Sequence, residues 1–153
     1  NGLHPRFITQ QLSDKMYTAG FKTIYLSLET IDFNIHRKID NKVQIEEFIQ
    51  AVQYLKKSGF NRTQLHAYLL IGLPEIDIES IRQSIDFLNE QGIISHLAEY
   101  SPIPFTQGYQ KLFSTDSIDP LYHNNAIFPG VSQQTRDKLM AIKVYHSRLR
   151  HTS

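Results

Sequence analysis

The sequence predicts an α/β fold with a parallel sheet, on three observations: a helix-glycine-strand unit occurs three times, the strands alternate apolar and polar residues, and no long apolar run interrupts them. Alternation of helix and strand in that order places each helix as a crossover on the sheet.

The first unit opens at Thr9, whose hydroxyl suits a helix N-cap, and carries Leu12, Met16 and Ala19 at helical spacing before Gly20 ends it. Phe21 then leads a strand to Glu29. In the second unit Ile45, Phe48, Val52 and Leu55 form the apolar stripe, Gly59 stops the helix, and Phe60 leads into a strand over Leu65 to Ile71. In the third, Asp77 caps a helix bearing Ile78, Ile81, Ile85 and Leu88, Gly92 ends it, and a strand runs from Ile93 to about Ser101. Phe105 to Gly130 shows no sustained period, and Pro104, Pro120, Pro129 and Asn124-Asn125 mark it as an irregular covering segment. Ser132 caps a last helix with Leu139, Ile142 and Leu149 on its apolar side and Arg136, Lys138, Lys143, Arg148 and Arg150 on a solvated side. Residues 1–106 thus read as the α/β part of a single domain and residues 107–153 as its covering segment and helix.

Strand periodicity separates two faces. Ile24, Leu26 and Leu28 are expected against helices, with Tyr25, Ser27 and Glu29 opposite them; Leu65, Ala67, Leu69 and Ile71 against helices, with His66, Tyr68, Leu70 and Gly72 opposite. In the third strand Leu97, Glu99 and Ser101 are expected on the inner face, the opposite assignment of Ala98 and Tyr100 being close behind.

The chain has 153 residues, 41% hydrophobic and 20% charged, the length and composition of one globular domain. It carries no stretch approaching a membrane span and no signal-peptide pattern, so a cytoplasmic setting is the expectation. Sixteen Lys and Arg against fifteen Asp and Glu give a net charge of +1, which argues for neither a nucleic-acid nor a membrane partner. The absence of cysteine excludes disulfides, thiolate metal sites and cysteine nucleophiles. Seven histidines are scattered, with no pair at helical ligand spacing beside a carboxylate, and no G-x-S-x-G motif is present. Inward-facing His66 is the histidine with a candidate role. The opening Asn1-Gly2-Leu3-His4-Pro5, without an initiator methionine, reads as that of a fragment.

In parallel α/β folds the working residues lie at the C-terminal ends of strands. Three segments fit: Ser27-Leu28-Glu29-Thr30, Leu70 to Glu75, and Glu99-Tyr100-Ser101-Pro102-Ile103-Pro104. Each also has a purely structural explanation, with Glu29 capping a short helix at Phe33 to Lys38, Gly72 allowing a sharp turn, and the prolines ending a strand.

Taken together, and at these intervals, the three segments resemble the fourth, fifth and sixth strands of radical S-adenosylmethionine (radical SAM) enzymes, over Asn1 to Thr106. The resemblance implies a partial (β/α) barrel of the TIM-like type. Asn1 to Ile8 and Asp119 to Asn125 further resemble the radical SAM proteins that carry a cobalamin-binding domain upstream. By this likeness Glu29, with Ser27 beside it, matches the position that hydrogen-bonds the SAM ribose, and Leu70, Gly72 and Glu75 match the strand that holds the adenine. Arg37 matches a candidate for the methionyl carboxylate, and Tyr100, Ser101 and His66 fall on the substrate side. The resemblance implies SAM and a four-iron four-sulfur cluster as cofactors. Three cysteines hold that cluster in the family, and none is present here, so its thiolates are expected from a missing upstream half of the same protein. Phe105 departs from the family's usual glycine. Two rival readings remain open: a non-catalytic nucleotide- or phosphate-binding module, which Glu75 and Asp77 at the helix start disfavour, and a structural half-barrel that self-associates through its uncovered edges.

Overall fold

The structure, a computed structural model, describes residues 2–31, 44–72, 77–100 and 132–151. Its elements in order are α1 (Gln10–Thr18), β1 (Ile24–Glu29), α2 (Ile45–Lys57), β2 (Leu65–Ile71), α3 (Ile78–Glu90), β3 (Ile94–Glu99) and α4 (Gln133–His151). Among the described residues the strands form a three-stranded parallel sheet in the order β1-β2-β3, not closed into a barrel. Two compact units share it: Asn1–Leu69 with Glu79–His96, and Leu70–Ile78 with Leu97–Ser153.

In the first unit the expected punctuation holds. The Thr9 hydroxyl accepts from the Leu12 amide at 3.2 Å, and Gly20, Gly59 and Gly92 all have positive φ where their helices end. The Gln44 amide donates to the Glu47 carboxylate at the start of α2. Phe48, Ala51, Val52 and Leu55 of α2 and Ile81, Ile85 and Leu88 of α3 are buried with Ile24, Leu26, Leu28, Leu65, Ala67 and Leu69 of the strands, and the Phe48 and Phe87 rings join the two helices at 6.1 Å. This is the helix-covered face that the alternation predicts. Burying the side chains of a Leu, Ile or Phe stabilises by about 1.5–3 kcal/mol each, so this layer is the main source of the fold's stability.

Two details of the first unit differ from expectation. β1 begins at Ile24, while Phe21 is half exposed. In α1 the buried positions are Ser13 and Met16, whereas Leu12 is 38% exposed. The Ser13 hydroxyl bonds back to the Thr9 carbonyl at 2.9 Å, which satisfies it and lets a small polar residue face inward.

The chain before α1 adds an edge to the sheet. Leu3 bridges Leu26 in parallel, its amide donating to the Tyr25 carbonyl at 2.6 Å and its carbonyl accepting from the Ser27 amide at 3.0 Å. A Cβ on Gly2 would lie 2.6 Å from the backbone of Leu26 and Ser27, so only glycine permits that approach.

In the second unit the ends of β2 and β3 meet, the Tyr100 amide donating to the Ile71 carbonyl at 2.8 Å. α4 begins as expected, with Ser132 capping through its hydroxyl to the Thr135 amide at 3.1 Å, and it buries Leu139, Ile142 and His146. Lys143 does not belong to the solvated side assigned to it: its ammonium pairs with Glu99 of β3, whose side chain is only 8% exposed.

The third strand is also corrected. His96 packs against Tyr25, His66 and Tyr68 on the face away from the helices, so alternation puts Ala98 and Tyr100 on that inner face and Leu97 and Glu99 on the other. The buried Ser95 agrees with this parity. The hydropathies of the two sets are too similar to have decided it; the ring contacts of His96 and the burial of Ser95 do.

Candidate cofactor site

Glu29 ends β1 in an unusual conformation. Its φ is +67°, the one positive value at a non-glycine residue among the described residues. The Thr30 amide bonds back to the Leu28 carbonyl at 2.9 Å, so Glu29 is the central residue of a three-residue turn of the rarer, strained kind. The register slips at the same place: Ser27 pairs with Tyr68 and Glu29 with Leu69, leaving Leu28 as the extra residue of a bulge. The left-handed region costs a residue with a Cβ about 1–2 kcal/mol, and the surrounding contacts must hold it there.

Part of that restraint comes from α3. The buried Ser84 hydroxyl accepts from the Ile31 amide at 3.2 Å and donates to the Ser80 carbonyl at 2.8 Å, fixing the chain two residues beyond Glu29. Sequence reasoning missed Ser84; the signal was a serine placed within the apolar stripe of Ile81, Ile85 and Leu88.

Ser27, Glu29 and His66 are each half-buried in the first unit. His66 sits in a four-ring cluster. Tyr25 stacks on His66 at 4.8 Å and on Tyr68 at 5.2 Å, and His96 tilts against all three. His66 Nδ1 lies 2.8 Å from His96 Nε2. Tyr25, Tyr68 and His96 were not singled out from sequence as a group, because only the fold brings them beside His66.

In the second unit Leu70 is half-buried, and Gly72 has φ +83°, directly after β2. Among the described residues a Cβ there would meet nothing closer than 4.0 Å, from Leu139 Cδ1 and the Tyr100 amide, so with respect to them it is the backbone conformation and not crowding that favours glycine. Tyr100 is half-buried beside it. β1 and β2 run parallel, one ending at Glu29 and the other at Ile71, so both carry their sequence-predicted residues at C-terminal ends. Arg37, Glu75 and Ser101 lie outside the described residues, as do Phe33 to Lys38, Phe105 and Asp119 to Asn125. Among the described residues no group of three or more His, Asp or Glu is placed to hold a metal ion, and no helix is long and apolar enough to cross a membrane.

The comparisons with known proteins agree with this architecture. The model of the radical SAM superfamily matches residues 1–88, more than half of the chain. The chain belongs to the radical SAM superfamily. A solved structure of coproporphyrinogen III oxidase (HemN) from Escherichia coli, described as a radical SAM enzyme, matches 95% of this chain with a TM-score of 0.67 at 18% identity. The chain spans 31% of the length of that protein, and the likeness supports a partial TIM-like barrel. No curated protein matches the sequence.

Membership in this superfamily implies SAM and a four-iron four-sulfur cluster as cofactors in general. The chemistry of the two groups meets this chain differently. A cluster needs thiolates, and the sequence has no cysteine to supply one. For SAM, the first unit offers a half-buried carboxylate at a strand end, a group that accepts hydrogen bonds from a diol, and the second unit, taken by itself, offers at Gly72 a backbone without a side chain.

Proposed function

We propose that this chain is the SAM-binding and substrate-positioning half of a radical SAM enzyme, with the cluster-binding thiolates supplied by an upstream half of the protein. The observation that carries this reading is the strained turn at Glu29. A residue with a Cβ is held in the left-handed region at the C-terminal end of a parallel strand, braced by a bulge and by Ser84. Strain of this kind is kept where it aims a side chain for use.

In this reading the Glu29 carboxylate accepts hydrogen bonds from the ribose hydroxyls of SAM, with Ser27 beside it on β1. Leu70 gives the adenine an apolar wall, the backbone at Gly72 approaches the base, and Glu75, which follows in sequence, belongs to the same binding segment. Arg37 pairs with the methionyl carboxylate in the fork geometry of a guanidinium. His66 and Tyr100 face the substrate, while Ser101 shares the parity of Leu97 and Glu99 and is not assigned to that side. SAM, when reduced by the family's cluster, supplies a 5'-deoxyadenosyl radical; this chain's residues bind, orient and exclude water. The upstream half covers the sheet edge at Leu3, a residue 41% exposed. The phosphate-binding alternative is weaker, because exposed Asp77 and Glu79 put negative charge at the start of α3.

Calorimetric titration of SAM into the chain joined to a cluster-bearing upstream half tests the assignment. Changing Glu29→Ala is expected to weaken binding by about 1.5–3 kcal/mol, the worth of a hydrogen bond to a charged group, which is roughly 10- to 100-fold in Kd. Unchanged affinity would remove Glu29 from the site.

A further inference from the structure

We infer that Ser84 of α3 is a positioning residue for SAM: by holding the chain just after Glu29 it keeps the end of β1 in its strained turn, and through Glu29 it sets the affinity for the cofactor. The cofactor part rests on the reading of Glu29 given above; the brace itself does not.

A serine buried in a helix is satisfied by one bond to its own backbone, and Ser13 of α1 shows that minimum, its hydroxyl donating to the Thr9 carbonyl four residues back. Ser84, 1% exposed, makes the same bond to the Ser80 carbonyl at 2.8 Å. Its one proton is thereby used, and the remaining lone pairs accept from the Ile31 amide at 3.2 Å, across 53 positions of sequence. Packing asks only for the first bond. The second ties α3 to the chain leaving β1.

The place of that tie gives it its effect. The Thr30 amide closes the turn on the Leu28 carbonyl at 2.9 Å, so the two amides that follow Glu29 are both committed, one within the turn and one to α3. Rotation of the Glu29 backbone out of the left-handed region carries Thr30 and Ile31 with it, and both bonds oppose that rotation. At φ +67° the left-handed form is the costlier one for a residue with a Cβ, so each bond that only this form makes raises its share of the population. A ligand received by that form alone binds with an apparent Kd divided by the fraction of chain in it. Removing the Ser84 hydroxyl therefore weakens SAM binding while leaving in place every group assigned to SAM.

Amide hydrogen exchange of the 153-residue chain tests the brace. The reporter is the Thr30 amide, whose acceptor is the Leu28 carbonyl and not Ser84, read against the Val52 amide in α2. Ser84→Ala should lower the protection of Thr30 by about 2- to 12-fold, the net worth of one hydrogen bond, and leave that of Val52 in place. Alanine is smaller than serine and a better helix former, and Ser84→Cys, close to serine in size but a weak acceptor, should give the same result. Unchanged protection at Thr30, or an equal loss at Val52, would overturn the brace. The cofactor part is tested by calorimetric titration of SAM into the chain joined to its cluster-bearing half. Ser84→Ala should raise Kd by at least about 2-fold, by no more than the factor lost at Thr30, and should add nothing once Glu29 is alanine. Unchanged affinity, a rise above that factor, or the same added loss in the Glu29→Ala protein would overturn the positioning role. If Glu29→Ala itself leaves the affinity unchanged, the reading of Glu29 fails and the positioning role with it, while the Thr30 result still decides the brace.

Discussion

Replacing Glu29 by glycine should make the protein more stable while removing a side chain assigned to the cofactor. With φ at +67° and the Thr30 amide returned to the Leu28 carbonyl, any residue with a Cβ bears about 1–2 kcal/mol of local strain at this position. Glycine relieves it but loosens the unfolded chain, which offsets about 0.4–1 kcal/mol. Comparing Glu29→Gly with Glu29→Ala isolates the backbone, because both lack the carboxylate. The glycine variant should be the more stable of the two by about 0.5–1 kcal/mol. At a urea slope of about 2 kcal/mol/M this separates their midpoints by roughly 0.3–0.5 M, readable by circular dichroism. If alanine equals or exceeds glycine, the turn is not strained and the argument from strain to function collapses.

Lys143→Met should destabilise the chain by about 1–3 kcal/mol. The value falls between the surface and buried limits because Lys143 is 36% exposed while Glu99 is 8% exposed and its Oε2 has no hydrogen-bond partner. Adding Glu99→Gln to that variant should recover part of the loss, which a double-mutant cycle in urea would measure. Acid should loosen the junction of α1 and α2. Hydrogen bonds from Ser58 and then Gln10 lower the Asp14 carboxyl below its ordinary 3.8, and one from Arg6 lowers Glu47 below 4.5. Since the folded values are the lower ones, both contributions are complete above the ordinary values and are lost as pH falls through the folded ones. Amide exchange in α1 should therefore accelerate below about pH 4, and Asp14→Asn should flatten that dependence.

Much of the scaffold was legible in the sequence because its signals are local. The glycines that end α1, α2 and α3, and the alternation of β1 and β2 between Leu or Ile and polar residues, need no tertiary knowledge. β3 was not legible, because Ile94, His96 and Ala98 are no more apolar than Ser95 and Leu97, and its facing shows only in the contacts of His96 with the rings of Tyr25 and His66. The buried Ser13 and the exposed Leu12 shift the buried face of α1, which keeps Met16, for a similar reason: a serine that bonds its own helix backbone is admitted where a count of apolar residues would exclude it. In the site, the strand-end rule for parallel sheets picks out the segments Ser27 to Thr30 and Leu70 to Glu75, because strand ends show in the local pattern, and the choice of Ser27, Glu29, Leu70 and Gly72 within them comes from the family resemblance. The strain at Glu29 could not be foreseen, since glutamate has no preference for that conformation and its bulge depends on pairing with β2. The His66–His96 contact joins residues 30 positions apart and exists only once β2 and β3 are neighbours.

The division of labour between this chain and a cluster-bearing half is tested most directly by measuring 5'-deoxyadenosine released from SAM under anaerobic, reducing conditions after iron and sulfide reconstitution. The chain alone should release none and show no iron-sulfur absorbance, because it has no cysteine. Joined to an upstream half that carries the three cysteines, it should release the nucleoside, and less of it at limiting SAM when Glu29 is alanine. Release by the chain alone, or full release at limiting SAM by the joined Glu29→Ala protein, would contradict this account.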